Sequence, residues 1–142
     1  IGRFGSPAKL CAYGGIVPIV RESADHRWQG HITKEGNRYI RWALVEAAWG
    51  AARTKDCYFS AQFHRLRARR GDKRAAVAVA HSILIVVYHL LAEPEAVYQE
   101  LGGDYFLKRN PEQEQRRAIR KLETLGYTVN LTPVPAAAAA SG

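Results

Sequence analysis

The chain has 142 residues, of which 47% are hydrophobic and 24% charged, and its formal net charge is +8. This length and composition allow a buried core and exclude whole-chain disorder and a disulfide-stapled secreted domain. The two cysteines, Cys11 and Cys57, lie far apart and in no CxxC pattern, so no structural zinc site is expected. Free thiols and the absence of a signal-peptide pattern predict a cytoplasmic location.

The excess positive charge lies in one third of the chain. Residues 27–74 hold twelve Lys and Arg residues against four Asp and Glu residues, whereas the remainder holds nine of each. A concentrated basic segment indicates a polyanionic partner, and nucleic acid is the commonest one. The alternative is a solvated face that keeps the chain soluble.

The first third of the chain predicts a short helix followed by an extended segment. Ser6-Pro7 is typical of a helix start, and Gly14-Gly15 of its end. Residues 16–20 are predicted to be extended because Pro18 disfavours helix and its neighbours are β-branched. Residues 22–36 are polar and predict a loop or a ragged β-hairpin that turns at residues 30–33.

A strong amphipathic helix is predicted over residues 37–53. Its core stripe at helical spacing consists of Ile40, Leu44, Ala47 and Ala51. The opposite face places Trp42 and Trp49 among arginines. Such rings can stack on bases, although packing against another helix is the favoured interpretation for Trp49. A further helix begins at Asp56 and ends in the sequence HRLRARRGDKR.

The apolar run over residues 75–92 is long enough for a membrane span. Because His81, Ser82 and His89 interrupt it and no second hydrophobic segment follows, we predict instead a buried helix at the centre of a helical domain, and no membrane partner. The two histidines are then interpreted as core residues rather than metal ligands.

The last part of the chain predicts a short helix over residues 95–101, an amphipathic helix over residues 110–125 and a short C-terminal strand over residues 127–131. The chain has no methionine, even at its first position, so we expect a fragment of a longer reading frame. A mainly α, multi-helix domain is predicted over residues 1–135, followed by a disordered tail over residues 136–142.

Several catalytic patterns are absent or weak. No P-loop motif is present, and no cluster of carboxylates suits a magnesium nuclease. His64 and Arg67 match the H-x-x-R pattern with which tyrosine recombinases hold a phosphate, and Tyr105 would then be the nucleophile. A phosphate-contacting or solvated helix end is the favoured interpretation of this pattern.

Ser23 is the serine with the most suitable surroundings for chemistry, because it lies in a polar, charged stretch. A serine that attacks phosphorus needs exposure, cations that hold the phosphate and a group that takes its proton. Arg21, Arg27 and His26 are the neighbours that could serve. A plain solvated loop serine is the alternative.

Three stretches resemble the C-terminal transposase domain of a bacterial insertion-sequence family, the DEDD transposases or bridge recombinases. They are IGRFGSPAKLCAYGGIVP followed by Ser23, GHITKEGNRYIRWALVEAAW, and EPEAVYQELGGDYFLKRN through LETLGYTVNL, so the resemblance covers residues 1–133. In that family a RuvC-like domain with four acidic residues precedes this domain, and a serine nucleophile follows a GLVP-like motif. The resemblance implies that residues 15–18 are this motif and that Ser23 is the nucleophile.

The resemblance also implies partners and cofactors. The expected partners are DNA, a structured guide RNA and further copies of the full-length protein. No cofactor is expected in this chain, and Mg²⁺ is expected in the upstream RuvC-like domain. The alternative is a non-catalytic, basic helical module that binds nucleic acid without a nucleophile.

The residues expected to hold nucleic acid are polar or cationic and lie near the serine, at the start of the helix over residues 37–53 or at the end of the next helix. At a helix start, free N–H groups and the helix dipole favour phosphate. The expected residues are Arg21, Arg27, Lys34, Asn37, Arg38, Arg41, Arg65, Arg67, Arg69 and Arg70.

Overall fold

The structure, a computed structural model, describes residues 1–23 and 26–133, and at residues 21–23 and 26–29 it describes the backbone. The element order is α1 (Pro7–Tyr13), β1 (Pro18–Ser23), β2 (His26–Ile32), α2 (Arg38–Arg53), α3 (Tyr58–Arg70), α4 (Asp72–Ala92), α5 (Tyr105–Arg109) and α6 (Pro111–Thr124). The predicted mainly α fold with a hairpin after the first helix is confirmed. The predicted tail over residues 136–142 lies outside the described residues.

The strands β1 and β2 form a two-stranded antiparallel hairpin. Ser23 pairs with His26 at one end of the ladder and Pro18 pairs with Ile32 at the other. The predicted turn at residues 30–33 is wrong, because Gly30 lies inside β2. The register shifts between Pro18 and Val20, so β2 has one extra residue there, and a glycine in a strand is typical of such a bulge.

The core lies where α1, α2 and α3 pack on α4. Small side chains allow this close approach of the helices. The buried residues are Leu10, Cys11, Ile16, Leu44, Ala48, Ala52, Phe63, Ala75, Ala76, Val79, Ala80 and Leu84. The predicted α2 stripe is wrong at Ala47, which is exposed, because the buried face turns toward Ala48 and Ala52.

The C-terminal half of α4 is more exposed than predicted. Within the described chain, α4 is the one helix long and apolar enough to cross a membrane, and 28% of its most apolar window is buried. The expectation that it is buried on every side is wrong, because α1, α2 and α3 cover only part of its circumference and Leu91 remains 62% exposed. His89 is also no core residue, since its exposed ring pairs with Glu93 at 3.1 Å.

The segment between α4 and α5 is not the predicted helix over residues 95–101. Glu100 instead accepts hydrogen bonds from the Tyr58 amide at 2.7 Å, the Gly102 amide at 3.0 Å and the Tyr98 hydroxyl at 2.7 Å. The carboxylate thereby caps the start of α3, whose own N-cap residue Cys57 makes no side-chain capping bond. This long-range contact holds the segment as an irregular connection between α4 and α5.

The described residues from Leu107 onward belong to a second compact unit, distinct from the unit that holds the core. Asn110 caps α6 by accepting from the Gln113 amide at 3.3 Å, and α6 has no buried residue. The predicted strand over residues 127–131 is wrong, because the described residues of this unit contain no strand that could pair with it.

Candidate nucleic-acid interface

The end of α1 and the start of α2 meet in direct backbone contact. The Asn37 amide donates to the Tyr13 carbonyl at 2.7 Å, and the Lys34 amide donates to the Gly15 carbonyl at 3.2 Å. Gly36 lies so close to Tyr13 that a Cβ would overlap its backbone, and Gly15 has a φ of +64°. Two glycines are therefore required at this junction, which fixes both the base of the hairpin and the start of α2.

Arg41 reinforces the same junction. Its guanidinium donates to the Gly14 carbonyl at 3.3 Å, where α1 ends, and the side chain is half-buried. A cation at a helix C-terminus is electrostatically favourable. Arg41 was expected to hold phosphate, but the structure places one of its N–H groups on the protein backbone.

Asn37 is the N-cap of α2. Its Oδ1 accepts from the Tyr39 amide at 2.9 Å and from the Ile40 amide at 3.2 Å. The expectation of free N–H groups at this helix start is therefore wrong for those two amides, because a protein oxygen already occupies them. These two amides are therefore occupied, which leaves the side chains and the helix dipole as the groups that could attract an anion at this helix start.

Exposed cations and aromatic rings share the first turns of α2. Tyr39 is 75% exposed and Trp42 is 67% exposed, while Lys34 and Arg38 also lie in solvent. The Arg38 guanidinium lies 5.8 Å from the centre of the Tyr39 ring. We call Lys34, Arg38, Tyr39 and Trp42 the α2 surface. Sequence reasoning missed Tyr39, although its spacing of three residues from Trp42 places both on one helix face.

The Trp49 ring packs against another helix and does not stand in solvent. Its ring lies 5.4 Å from the ring of Phe63, in an edge-to-face arrangement between α2 and α3. The favoured packing interpretation of this tryptophan is confirmed, and of the two tryptophans on α2 only Trp42 has its ring largely in solvent.

Ser23 is the last residue of β1, so it lies in a strand rather than in a loop. In the ladder it pairs with His26, while Arg21 pairs with Trp28 and Glu22 with Arg27. The backbone thus brings Ser23 and His26 to opposite positions at the end of the hairpin farthest from the α1–α2 junction. No helix of the described chain packs on β1 or β2.

The arginines at the end of α3 divide into two pairs. Arg65 stacks over the Phe106 ring at 4.8 Å, and the Arg67 side chain forms an ion pair with Asp72 at 2.7 Å. Arg69 and Arg70 are exposed, and neither forms an ion pair with a side chain that the structure describes. We call these four residues the α3 arginines. No hydrogen bond, ion pair or ring contact among the described side chains joins them to the α2 surface.

The residues of the tyrosine-recombinase pattern contact other parts of the protein rather than one another. The Nε2 atom of His64 lies 3.2 Å from the Ala52 carbonyl oxygen, and Arg67 pairs with Asp72. The Tyr105 ring packs edge-on against Tyr58 at 5.1 Å. The structure thus shows no contact that assembles these residues into a phosphate site.

The remaining titratable groups of the described chain give little support for a catalytic role. Among the residues that the structure describes, no group of three His, Cys, Asp or Glu side chains could hold a metal ion. Burial lowers the pKa of His81 and raises the pKa of the Cys11 thiol. Both groups therefore favour their neutral forms, although only Cys11 belongs to the core and His81 is half-buried.

A comparison with known protein families matches the part of the chain that carries the hairpin and the α2 surface. Residues 1–65 match the family model for the transposase IS116/IS110/IS902 family, and they include the hairpin and the entire α2 surface. A protein of Sinorhizobium fredii described as "Putative transposase y4qE" is 46% identical over 48 residues, which cover 34% of this chain and 12% of that protein. No solved structure matches the chain. Together the two matches support a transposase domain in this chain.

Proposed function

We propose that this domain takes part in the transposition of an insertion sequence, with Ser23 as the nucleophile that attacks DNA. The observation that supports this most directly is the family match over residues 1–65, which spans Ser23 and the α2 surface. The serine assignment itself rests on the resemblance of the sequence around residues 15–23 to the motif region of DEDD transposases.

The proposed step is a phosphoryl transfer. The Ser23 Oγ attacks the phosphorus of a DNA phosphodiester, so a serine–phosphate bond forms as the bond from phosphorus to one deoxyribose oxygen breaks. The serine hydroxyl loses its proton, and the displaced sugar oxygen takes one up. Cations around the phosphate stabilise the charge that builds on its oxygens, and Arg21 and Arg27, which lie in the hairpin near Ser23, are the candidates for this role. Lys34 lies at the opposite end of the hairpin, so it is a candidate for a different phosphate of the same DNA.

The fold supports such a role for the hairpin. Ser23 is at the end of the strand ladder opposite to the anchored base, and no helix of the described chain packs on it. A two-stranded hairpin gains little stability on its own. The hairpin is therefore suited to project into a site that other groups complete, such as DNA and a second domain.

Among the described residues, no group of three His, Cys, Asp or Glu side chains could hold a metal ion. We assign the acidic residues and Mg²⁺ to the RuvC-like domain expected in the full-length protein. A structured guide RNA and further copies of that protein are the other proposed partners.

The test is the variant Ser23→Ala in the full-length protein. Removal of the hydroxyl should abolish recombination, measured as recombinant DNA product, because the nucleophile is lost. DNA affinity should stay within about twofold, because the cations proposed to hold the phosphates are unchanged. The matched control is Ser60→Ala, since Ser60 donates to the Ala52 carbonyl at 3.2 Å and has no proposed chemical role.

The second candidate function is a non-catalytic nucleic-acid-binding module. The exposed rings and cations of the α2 surface favour it, because they need no nucleophile to act. Full recombination by Ser23→Ala would exclude the serine assignment and leave this binding role.

A further inference from the structure

We propose that Tyr39 and Trp42 form a stacking platform for unpaired nucleobases, so that this domain binds single-stranded nucleic acid in preference to duplex. The inference rests on the proposed nucleic-acid role of the domain and names the ligand of the α2 surface. It is independent of whether Ser23 is the nucleophile.

Both rings lie in solvent on one face of α2. Tyr39 is 75% exposed and Trp42 is 67% exposed, which is unusual for side chains with so much apolar area. Residues three apart on a helix have neighbouring side chains, so the two rings share one face of α2. The Arg38 guanidinium lies over one face of the Tyr39 ring, 5.8 Å from its centre, which leaves the other face of Tyr39 and the Trp42 ring for a base.

The fold itself does not require these rings. The face of α2 that packs on the core consists of Leu44, Ala48 and Ala52, and Trp49 contacts Phe63. Tyr39 and Trp42 contribute to neither set. Their exposure costs solubility without a gain in packing, which is typical of a side chain that binds a partner.

The charges around the rings favour a polyanion. Arg38 lies beside Tyr39, Lys34 precedes the helix in solvent, and the positive end of the α2 dipole is at the same turn. Glu35 and Glu46 are the acidic residues of this part of the chain, and both are exposed. An apolar protein partner would use the rings but not the cations, whereas nucleic acid uses both, with bases on the rings and phosphates on the cations.

The rings also distinguish single strands from duplex. In a duplex the base faces are covered by neighbouring base pairs, so only base edges and phosphates are accessible to a helix surface. In single strands, loops and bulges the bases can turn out and stack on aromatic side chains. Two adjacent rings therefore select nucleic acid that has unpaired bases.

The test compares the affinity of the full chain and of Trp42→Ala for a single-stranded oligonucleotide and for its duplex, at several salt concentrations. We expect Trp42→Ala to weaken single-strand binding by about 5- to 150-fold and duplex binding by less than about twofold. The slope of log K against log salt should stay unchanged, because the substitution removes no cation that neutralises a phosphate. Tyr39→Ala should act in the same direction, and Trp42→Phe should retain most of the affinity.

Two controls make the result specific. Tyr127→Ala removes an aromatic ring that is 65% exposed and lies in the second unit, so it should leave both affinities unchanged. Arg38→Ala should lower the salt slope for both ligands.

Three outcomes would contradict the stacking platform. The first two are equal losses of affinity for duplex and single strand, and an unchanged single-strand affinity in a folded Trp42→Ala. Loss of self-association with intact binding would also overturn it and assign the rings to a protein contact. None of these outcomes bears on Ser23→Ala, which tests the proposed function separately.

Discussion

The start of α2 and the end of α3 are both basic in sequence but differ in what their cations do. On the α2 surface Lys34 and Arg38 lie in solvent beside two exposed rings. Among the α3 arginines, Arg65 stacks on Phe106 and Arg67 pairs with Asp72. A count of charges therefore overstates the binding surface of α3, because half of its arginines already have protein partners.

The two helices are also held in place differently. α2 begins at a junction of two glycines, where its N-cap Asn37 bonds to the Tyr13 carbonyl. The start of α3 is capped by the carboxylate of Glu100, which lies 43 residues after the N-cap residue Cys57 in the chain. Backbone contacts with the end of α1 thus fix the start of α2, whereas one side chain fixes the start of α3.

The largest expected effect comes from Gly36→Ala, which tests the α2 junction. A Cβ there meets the backbone of Tyr13 and Gly15, neither of which can rotate away. We expect a loss of about 1–3 kcal/mol in the free energy of unfolding, measured by urea denaturation.

The matched control for this substitution is Gly50→Ala. A Cβ at Gly50, inside α2, meets nothing within 4 Å, so the added methyl should raise the free energy of unfolding by about 0.5–1 kcal/mol. Similar effects of the two substitutions would contradict the account of the junction.

The salt dependence of nucleic-acid binding sharpens the difference between the two basic regions. Joint neutralisation of Lys34 and Arg38 should reduce the slope of log K against log salt by roughly 0.7 to 0.9 for each phosphate that the protein no longer neutralises. Joint neutralisation of Arg65 and Arg67 should reduce it by less, because Phe106 and Asp72 already hold these side chains. A larger change for the α3 pair would reverse the assignment of the interface.

The smallest expected effect comes from Glu100→Gln at the start of α3. Desolvation raises the pKa of Glu100, but hydrogen bonds outweigh this effect and hold the pKa below its usual value. The donors are the Tyr58 amide, the Tyr98 hydroxyl, the Gly102 amide and the Cys57 thiol. A carboxyl with a lowered pKa stabilises the fold at neutral pH, and this contribution disappears as the pH falls through the lowered pKa.

Because Glu100 lies in solvent, Glu100→Gln should cost no more than about 1 kcal/mol at pH 7. Urea unfolding of both proteins at neutral and acidic pH measures this, and the difference between them should shrink in acid. A difference that grows as the pH falls would show that the carboxylate does not cap α3.

Much of the fold follows from local sequence signals. Ser6-Pro7 and Gly14 bound α1, and the periodicity of residues 37–53 predicts α2 to within one residue at its start. The packing of Trp49 was also predictable, because large aromatic rings usually pack against another helix even when they lie outside the main apolar stripe. The sequence predicted the position of Trp42 on the outer face as well, but only the structure shows that its ring stays in solvent.

Other features depend on contacts between distant parts of the chain. Residues 95–101 have helical signals, yet Glu100 accepts a hydrogen bond from the Tyr58 amide and the segment is irregular rather than helical. The alternation of residues 127–131 resembles a strand, but a strand needs a partner, and the described residues of that unit provide none. Neither outcome can be predicted from a short window of sequence.

The most direct test of the central proposal is to trap the covalent intermediate. A recombination reaction of the full-length protein is stopped with denaturant, and the DNA-linked peptide is identified by mass spectrometry after proteolysis. We predict that DNA is attached to the peptide that contains Ser23 and that Ser23→Ala gives no adduct. Attachment of DNA at Tyr105, or an adduct that persists in Ser23→Ala, would contradict the assignment of Ser23 as the nucleophile.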